Sequence, residues 1–497
     1  MKMASSRRSF KRMKISACPE TADLSPKDQL SRLPDGILLD ILDRLPLREA
    51  IATSFIARRW RYLWRFMGKV DFTYHWLEET GKEIIPSVNS FIWRYKGKKI
   101  EHFGISFRYS RSKKHQVRSW VYFALRNKVE ELDLNFNDLE DQRKTRKWKY
   151  HLFQLPKGLF CSSSLSKLSL SFLRLELPPR IQLKNLKELY FDRVILQDDA
   201  VSKITALCPV LELLSLFNCN MDCSLVVKVP PRPARLKLII LDEFLMVDYK
   251  KDLVIDAPGL SAIELCSGLT RKRFFIDNLP DGVEARLNFD DMLYGGRVIL
   301  VNRPGLRGRQ QYSKSLLFFL YKFRATCHLH LCSWCIQLLA VQKLMGLEER
   351  LSFDSTTLTL DTGLLMWELP GIAYLLDSCP VLEKLKINMV GQALLKYNDS
   401  FKRCHNFVEE GYWVGQGMEN LAGLRNLRVV EFNNTHGAYQ TWDDGSFNLR
   451  GFFTSYVNGV HLLRFLERKA PKLEKVIFRT NKKQVQVEKD ALSVPQV

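Results

Sequence analysis

No stretch of this 497-residue chain approaches the about eighteen uninterrupted apolar residues that crossing a bilayer requires; runs such as Leu236–Leu241 and Leu316–Tyr321 are far too short, and no membrane partner is expected. The opening residues Met1–Lys14 lack the apolar core of a secretory signal. The eleven cysteines, an odd number in a long chain, then read as reduced thiols of nucleus or cytoplasm rather than a disulfide framework. Also missing are a Gly-x-x-x-x-Gly-Lys-Ser/Thr phosphate loop, a Gly-x-Ser-x-Gly nucleophile elbow and a His-Glu-x-x-His zinc helix, so the expectation is a non-enzyme without cofactor. Acidic residues are scarce: 54 against 76 basic ones, a net charge of +22 that attracts polyanions. The excess is scattered over Lys96/Lys98/Lys99, Lys113/Lys114, Arg143–Lys149 and Arg271–Arg273, as on a solvated surface. It becomes a nucleic-acid footprint only if folding gathers it on one face, so nucleic acid stays a rival partner.

The nearest approach to a metal site is Cys327-His328-Leu329-His330-Leu331-Cys332-Ser333-Trp334-Cys335. Cysteine and histidine are the ligands zinc takes. Yet Leu329 and Leu331 alternate with the histidines, which is the period of a strand, and a strand sends Cys327 and His328 to opposite sides. No second Cys/His pair follows at zinc-site spacing, and no metal is expected.

Between Asp28 and Trp64 the pattern changes to amphipathic helix. Pro34 suits a first helical position, and Asp35 after it favours the positive end of the helix dipole. Ile37, Leu38, Ile41, Leu42 and Leu45 form one apolar stripe, which Pro46 ends. Arg48–Phe55 reads as a second short helix, and Trp60, Leu63 and Trp64 give a third apolar face. So few residues bury little surface by themselves, so the stripe packs either on the rest of the chain or on another protein.

This stretch resembles a plant-type F-box, in which Leu33-Pro34-Asp35, Ile41-Leu42, Leu45-Pro46, Thr53-Ser54 and Arg59-Trp60-Arg61-Tyr62-Leu63-Trp64 match the recurring positions. It departs at Gly36, where an acidic residue is usual, and at Phe55-Ile56-Ala57. The resemblance implies docking to a Skp-type adaptor, and through it to a cullin, with Leu33, Pro34, Ile37, Leu38, Ile41, Leu42, Leu45, Pro46, Trp60 and Leu63 as contacts.

From Val129 onward a unit of apolar-x-x-apolar-x-apolar recurs, at Val129/Leu132/Leu134, Leu165/Leu168/Leu170, Leu186/Leu189/Phe191, Leu211/Leu214/Leu216, Leu236/Ile239/Leu241 and Leu260/Ile263/Leu265. After a first step of 36 residues the spacing is 21 to 25, the leucine-rich-repeat signature, in which each strand buries its face only against its neighbours. Cys208-Pro209-Val210-Leu211-Glu212 recurs as Cys379-Pro380-Val381-Leu382-Glu383, and Ala257-Pro258 and Ala470-Pro471 repeat the frame. A helix ending before the proline, then a turn into a strand, explains it; Leu196–Leu207 and Leu462–Lys469 fit as such helices.

The expected architecture is α/β: a small three-helix F-box, then a solenoid with parallel strands on its concave face and helices or irregular segments on its convex face. The expected divisions are a disordered basic tail at 1–27, the F-box at 28–66, a connecting region at 67–127, leucine-rich repeats at 128–400, terminal repeats resembling an FBD region at 401–480, and a tail at 481–497. Tyr294–Arg297 and Asn302–Arg309 read as loops. The F-box and repeats together imply the substrate-recognition subunit of an SCF-type ubiquitin ligase. An unknown protein target would lie on the outward positions of the strands, with Tyr190, Asp192, Phe217, Asp242 and Lys386 as candidates and the aromatics as anchors. The rivals are a nucleic-acid-binding repeat protein and an F-box scaffold without degradative role.

Overall fold

The structure is a computed structural model that describes residues 30–73, 84–107, 109–136, 153–197, 199–221, 225–229, 235–242, 252–266, 274–289, 306–344, 351–365, 367–389, 412, 421, 424–433, 457–479 and 484–488. The N-terminal basic tail at 1–27 and Tyr294–Arg297 lie outside them. Two compact units divide the chain, Met1–Ile100 and Glu101–Val497.

In the first unit, Pro34 sits at the N-cap of helix α1 (Asp35–Leu42), one place earlier than expected, with its carbonyl accepting from the N–H groups of Ile37 and Leu38 at 2.9 and 3.1 Å. Pro46 likewise caps α2 (Leu47–Ala52), which continues as a 3-10 turn over Thr53–Phe55; a 3-10 segment follows at Trp60–Phe66. Strand β1 (Lys69–Phe72) and helix α3 (Ile84–Arg94) belong to the same body. Phe91 of α3 lies 5.5 Å from the ring of Trp64 and edge-on to Phe72 at 5.7 Å. The backbone N–H groups of Lys96 and Gly97 both donate to the Arg65 carbonyl. Residues expected to be a connector are therefore core: three short helical pieces could not cover their own apolar faces, and Ile84, Val88 and Phe91 complete the job.

The second unit opens on β2 (His102–Ser106) and α4 (Lys114–Arg126), so the repeats start earlier than 128. Ile100, Phe103 and Ile105 have the repeat frame and are fully buried. Phe107 packs edge-on against Trp120 at 5.6 Å, and Phe136 against Phe153 at 5.4 Å. One sheet then grows strand by strand: β3 (Glu131–Asn135), β4 (Lys167–Ser171), β5 (Glu188–Asp192), β6 (Leu213–Phe217), β7 (Leu238–Asp242), β8 (Ala262–Cys266), β9 (Glu284–Asn288), β10 (His328–Leu331), β11 (Thr357–Thr362), β12 (Lys384–Met389), β13 (Val429–Asn433) and β14 (Lys475–Arg479). Each pairs in parallel with the next. A last strand, β15 (Gln484–Glu488), pairs antiparallel with β14, so the expected C-terminal tail begins as sheet.

From β3 to β14 each strand buries its second and fourth residues, as the leucine frame requires, while the first stays at least partly exposed. The third and fifth are so in most strands, Ser171, Asp242, Thr359, Glu431 and Ile477 being buried exceptions. In the N-terminal half the other layer is short parallel strands, Phe153–Gln154, Leu173–Leu175, Ile195–Leu196 and Asn220–Met221. The chain reaches them through a single residue in the left-handed region, Phe172 (φ 57), Arg193 (φ 50) and Asn218 (φ 49) in successive repeats. The cost of that conformation is offset because each such N–H donates to the next strand's last carbonyl, Asp192, Phe217 and Asp242 in turn.

A second small parallel sheet follows, Leu225–Lys228, Leu253–Asp256 and Phe274–Asp277. The helices of this unit are, besides α4, α5 (Ala200–Leu207), α6 (Leu306–Leu320), α7 (Ser333–Leu344), α8 (Leu369–Ser378) and α9 (Val457–Lys469) among the described residues. Residues 306–309, expected as loop, open α6. The helix before Cys208 is shorter than expected, because Ile195–Leu196 is strand. The four proline frames share one turn: Leu211, Leu260, Leu382 and Leu473 each donate their N–H to the carbonyl three residues back, that of Cys208, Ala257, Cys379 and Ala470.

Candidate functional site

Two surfaces are candidates. On the first unit, the expected apolar stripe divides. Leu38 and Leu42 are fully buried, and Trp60 and Leu63 nearly so, against the unit's own core. Leu33, Ile41 and Leu45 are half-buried, while Pro34, Ile37 and Pro46 are exposed. The stripe is wider than one face of a short helix can present, so its inner edge turns inward and its outer edge stays exposed. Sequence reading missed Phe55 and Ile56, which are 90% and 73% exposed at the end of the 3-10 turn, and Leu30 and Tyr62, each more than half exposed. The signal was there: an apolar pair out of phase with the buried stripe, at the point where the sequence departs from the common F-box pattern. Polar contacts hold the frame. Arg59 Nη2 donates to Asp35 Oδ1 at 2.7 Å, and Asp43 accepts from the backbone N–H groups of Lys69 and Gly68. Burial raises the Asp43 carboxyl above its usual range, against the pull of those two hydrogen bonds.

On the second unit, the sheet carries rows of outward side chains. Tyr190 donates its hydroxyl to Glu188 Oε2 at 3.1 Å and lies under the Lys167 ammonium, 5.0 Å from the ring centre. Burial and then the Glu188 hydrogen bond raise the Tyr190 hydroxyl. Asp192 has one oxygen, Oδ1, buried without a hydrogen-bond partner among the described residues, and burial raises its carboxyl. Beside it the Arg193 guanidinium stands 4.9 Å from the Phe172 ring and 5.9 Å from Phe217. Tyr190, Asp192 and Phe217 thus lie together on β5 and β6. Asp242 does not join them as an exposed group: it is only 8% exposed, because the fifth position of β7 lies under the turn at Asn218, which alternation along a strand cannot reveal. Lys386 is half-buried on β12, with β8 to β11 between it and β7.

Two families match this chain, an F-box domain over residues 30–69 and the family described as "FBD-associated F-box protein At5g56370, LRR repeats" over residues 117–274. This is a plant F-box protein with leucine-rich repeats. Among its relatives in Arabidopsis thaliana, the putative F-box/LRR-repeat protein At3g18150 is 27% identical over 362 residues, 72% of either chain. The putative F-box protein At1g49610 is 26% identical over 373 residues, 73% of this chain and 85% of its own. The FBD-associated F-box protein At5g38590 is 26% identical over 275 residues, 52% and 60% of the two chains.

In this F-box protein the Cys/His stretch is the repeat strand β10. Leu329 and Leu331 face inward, and His328 and His330 face outward. His330 Nε2 is 2.8 Å from Asp361 Oδ1, which also accepts from Asn388 Nδ2 at 2.7 Å; Asn388 in turn accepts from Asn433. Burial works to raise the Asp361 carboxyl, but His330 and Asn388 hold it below the usual value. Cys332 and Cys335 lie inside, their sulfurs 3.6 Å apart, and burial pushes the Cys335 thiol well up. The histidines therefore face outward from β10, while Cys332 just after the strand and Cys335 in α7 lie inside. Cys208 and Cys379, in the paired proline frames, are buried thiols both pushed up to about 12 by desolvation, which makes them inert as nucleophiles.

Proposed function

We propose that this chain is the target-binding subunit of a Skp/cullin/F-box ubiquitin ligase, with no catalytic residues of its own. The observation that carries the reading is the exposed apolar edge of the first unit, Pro34, Ile37, Phe55 and Ile56, which no described part of that unit covers. That edge docks on the Skp-type adaptor, which connects the chain to a cullin. The outward face of the repeat sheet holds the target, so that ubiquitin transfer by the other subunits is accelerated by proximity. The sparse polar network of that face, with a His–Asp pair locked into an asparagine ladder, supports holding rather than chemistry.

The test is capture by immobilised Skp-type adaptor, comparing wild type with Ile37→Asp/Ile56→Asp. Both positions are exposed, so the variant keeps its melting temperature. Loss of at least about tenfold in affinity is expected, as for removal of interface anchors. A folded wild type that ignores the adaptor would sink the proposal.

A further inference from the structure

Along β3 to β9 the outward side chains run against the composition of the whole molecule. At the first and third positions of these strands, five residues are acidic, Glu131, Asp133, Glu188, Glu264 and Glu284, and two are basic, Lys167 and Arg286. The chain as a whole carries 76 basic against 54 acidic residues. The same strands also break the rule that an outward sheet face is polar. The in-register row Glu188–Leu213–Leu238–Ala262–Glu284 puts three half-buried apolar side chains side by side between two carboxylates. Ile240 and Phe217 widen that platform. A hollow of about 400 Å³ lies at its β3–β5 border, lined by Glu131, Asp133, Lys167 and Tyr190 among others. A second, of about 170 Å³, lies at the β8–β10 border, lined by Glu264, Glu284, Arg286, His328 and His330 among others. Lys167 and Glu188 pair at 3.3 Å and answer each other's charge, and the remaining charges at these positions are Glu131, Asp133, Glu264 and Glu284 against Arg286.

We propose that this face takes a target segment of basic–apolar–basic chemistry, with Lys or Arg side chains in the two hollows and aliphatic or aromatic side chains on the platform between them. The inference rests on the sheet face being the target site and names the class of target. Glu188 and Glu284 are four strand spacings apart, about 19 Å. An extended segment spans that in about six residues. A solvated apolar platform gains from being covered, and the acidic borders select a basic partner over an acidic one.

The experiment uses the full chain and two fluorescein-labelled octapeptides, Arg-Lys-Leu-Leu-Phe-Leu-Lys-Arg and its counterpart with Glu and Asp at the four charged places. Fluorescence anisotropy should show binding of the basic peptide and not of the acidic one. Glu264→Lys/Glu284→Lys should weaken the basic peptide by about tenfold or more without changing the melting temperature, because Glu284 is 62% exposed in its side chain. Leu238→Asn should weaken it while preserving the preference for basic over acidic. Equal or tighter binding of the acidic peptide, binding of neither, or indifference to the charge reversal overturns the proposal. Adaptor capture with the same preparations reports the ligase reading separately, so either can fail alone.

Discussion

Glu368 is a carboxyl with no exposed surface, held by the hydroxyls of Ser333 and Thr362 and by the backbone N–H of Leu365, the last two at 2.7 and 2.9 Å. It ties the turn after β11, where Leu364 sits at φ 52, to the start of α7. Burial raises its affinity for a proton, against those hydrogen bonds. A folded-state value above the ordinary 4.5 means that the folded chain binds the proton more tightly than the unfolded one. Its protonation therefore favours folding below 4.5, and that advantage is lost as pH rises through the folded value. Glu368→Gln removes the titration. Thermal melts of both proteins between about pH 4 and pH 8 should show the variant gaining on wild type as pH rises. A constant difference across that range would mean that Glu368 titrates normally.

Helices α7 and α8 are packed more closely than any sequence pattern indicated. A Cβ built on Gly371 would stand 1.9 Å from the Ile336 carbonyl oxygen. The glycine is there for backbone approach, since both helices are buried along almost their whole length. Gly371→Ala should cost about 1–3 kcal/mol by forcing the helices apart, measurable by urea unfolding. Gly36 is the control. Nothing lies within 4 Å of its Cβ position, so Gly36→Ala should be neutral or stabilising. Both are glycines inside helices, and only the neighbouring element distinguishes them.

At the scale of the molecule, stability is passed from strand to strand. Ile239 is buried at the second position of β7, in register with Leu214 and Ile263 on either side. Ile239→Ala should cost about 2–5 kcal/mol. Because each repeat leans on its neighbours, hydrogen exchange should quicken in β6 and β8 as well as in β7. Quickening confined to β7 would show repeats more independent than the ladder suggests. The net charge of +22 also takes its meaning only at this scale. Spread over the surface it leaves β3 to β9 acidic, so the chain's polyanion-attracting character and its proposed target preference have opposite signs.

The apolar frame by itself determined strands β3 to β8, their order and their inward residues, because a pattern repeated every 21 to 25 residues has one way to bury its leucines. The F-box helices and the paired Cys-Pro turns were legible for the same reason: their rules are local. The edges of the domains were not, since Ile84–Arg94 and Ile100–Ile105 show their role only once they cover another element's apolar face. Nor could alternation separate Ile37 from Leu38, or Tyr190 from Asp242. Which member of an apolar stripe faces solvent, and which strand end lies under the next turn, depends on atoms far away in sequence. Tertiary packing alone decided that, because burial is a property of neighbours and not of the residue that is buried.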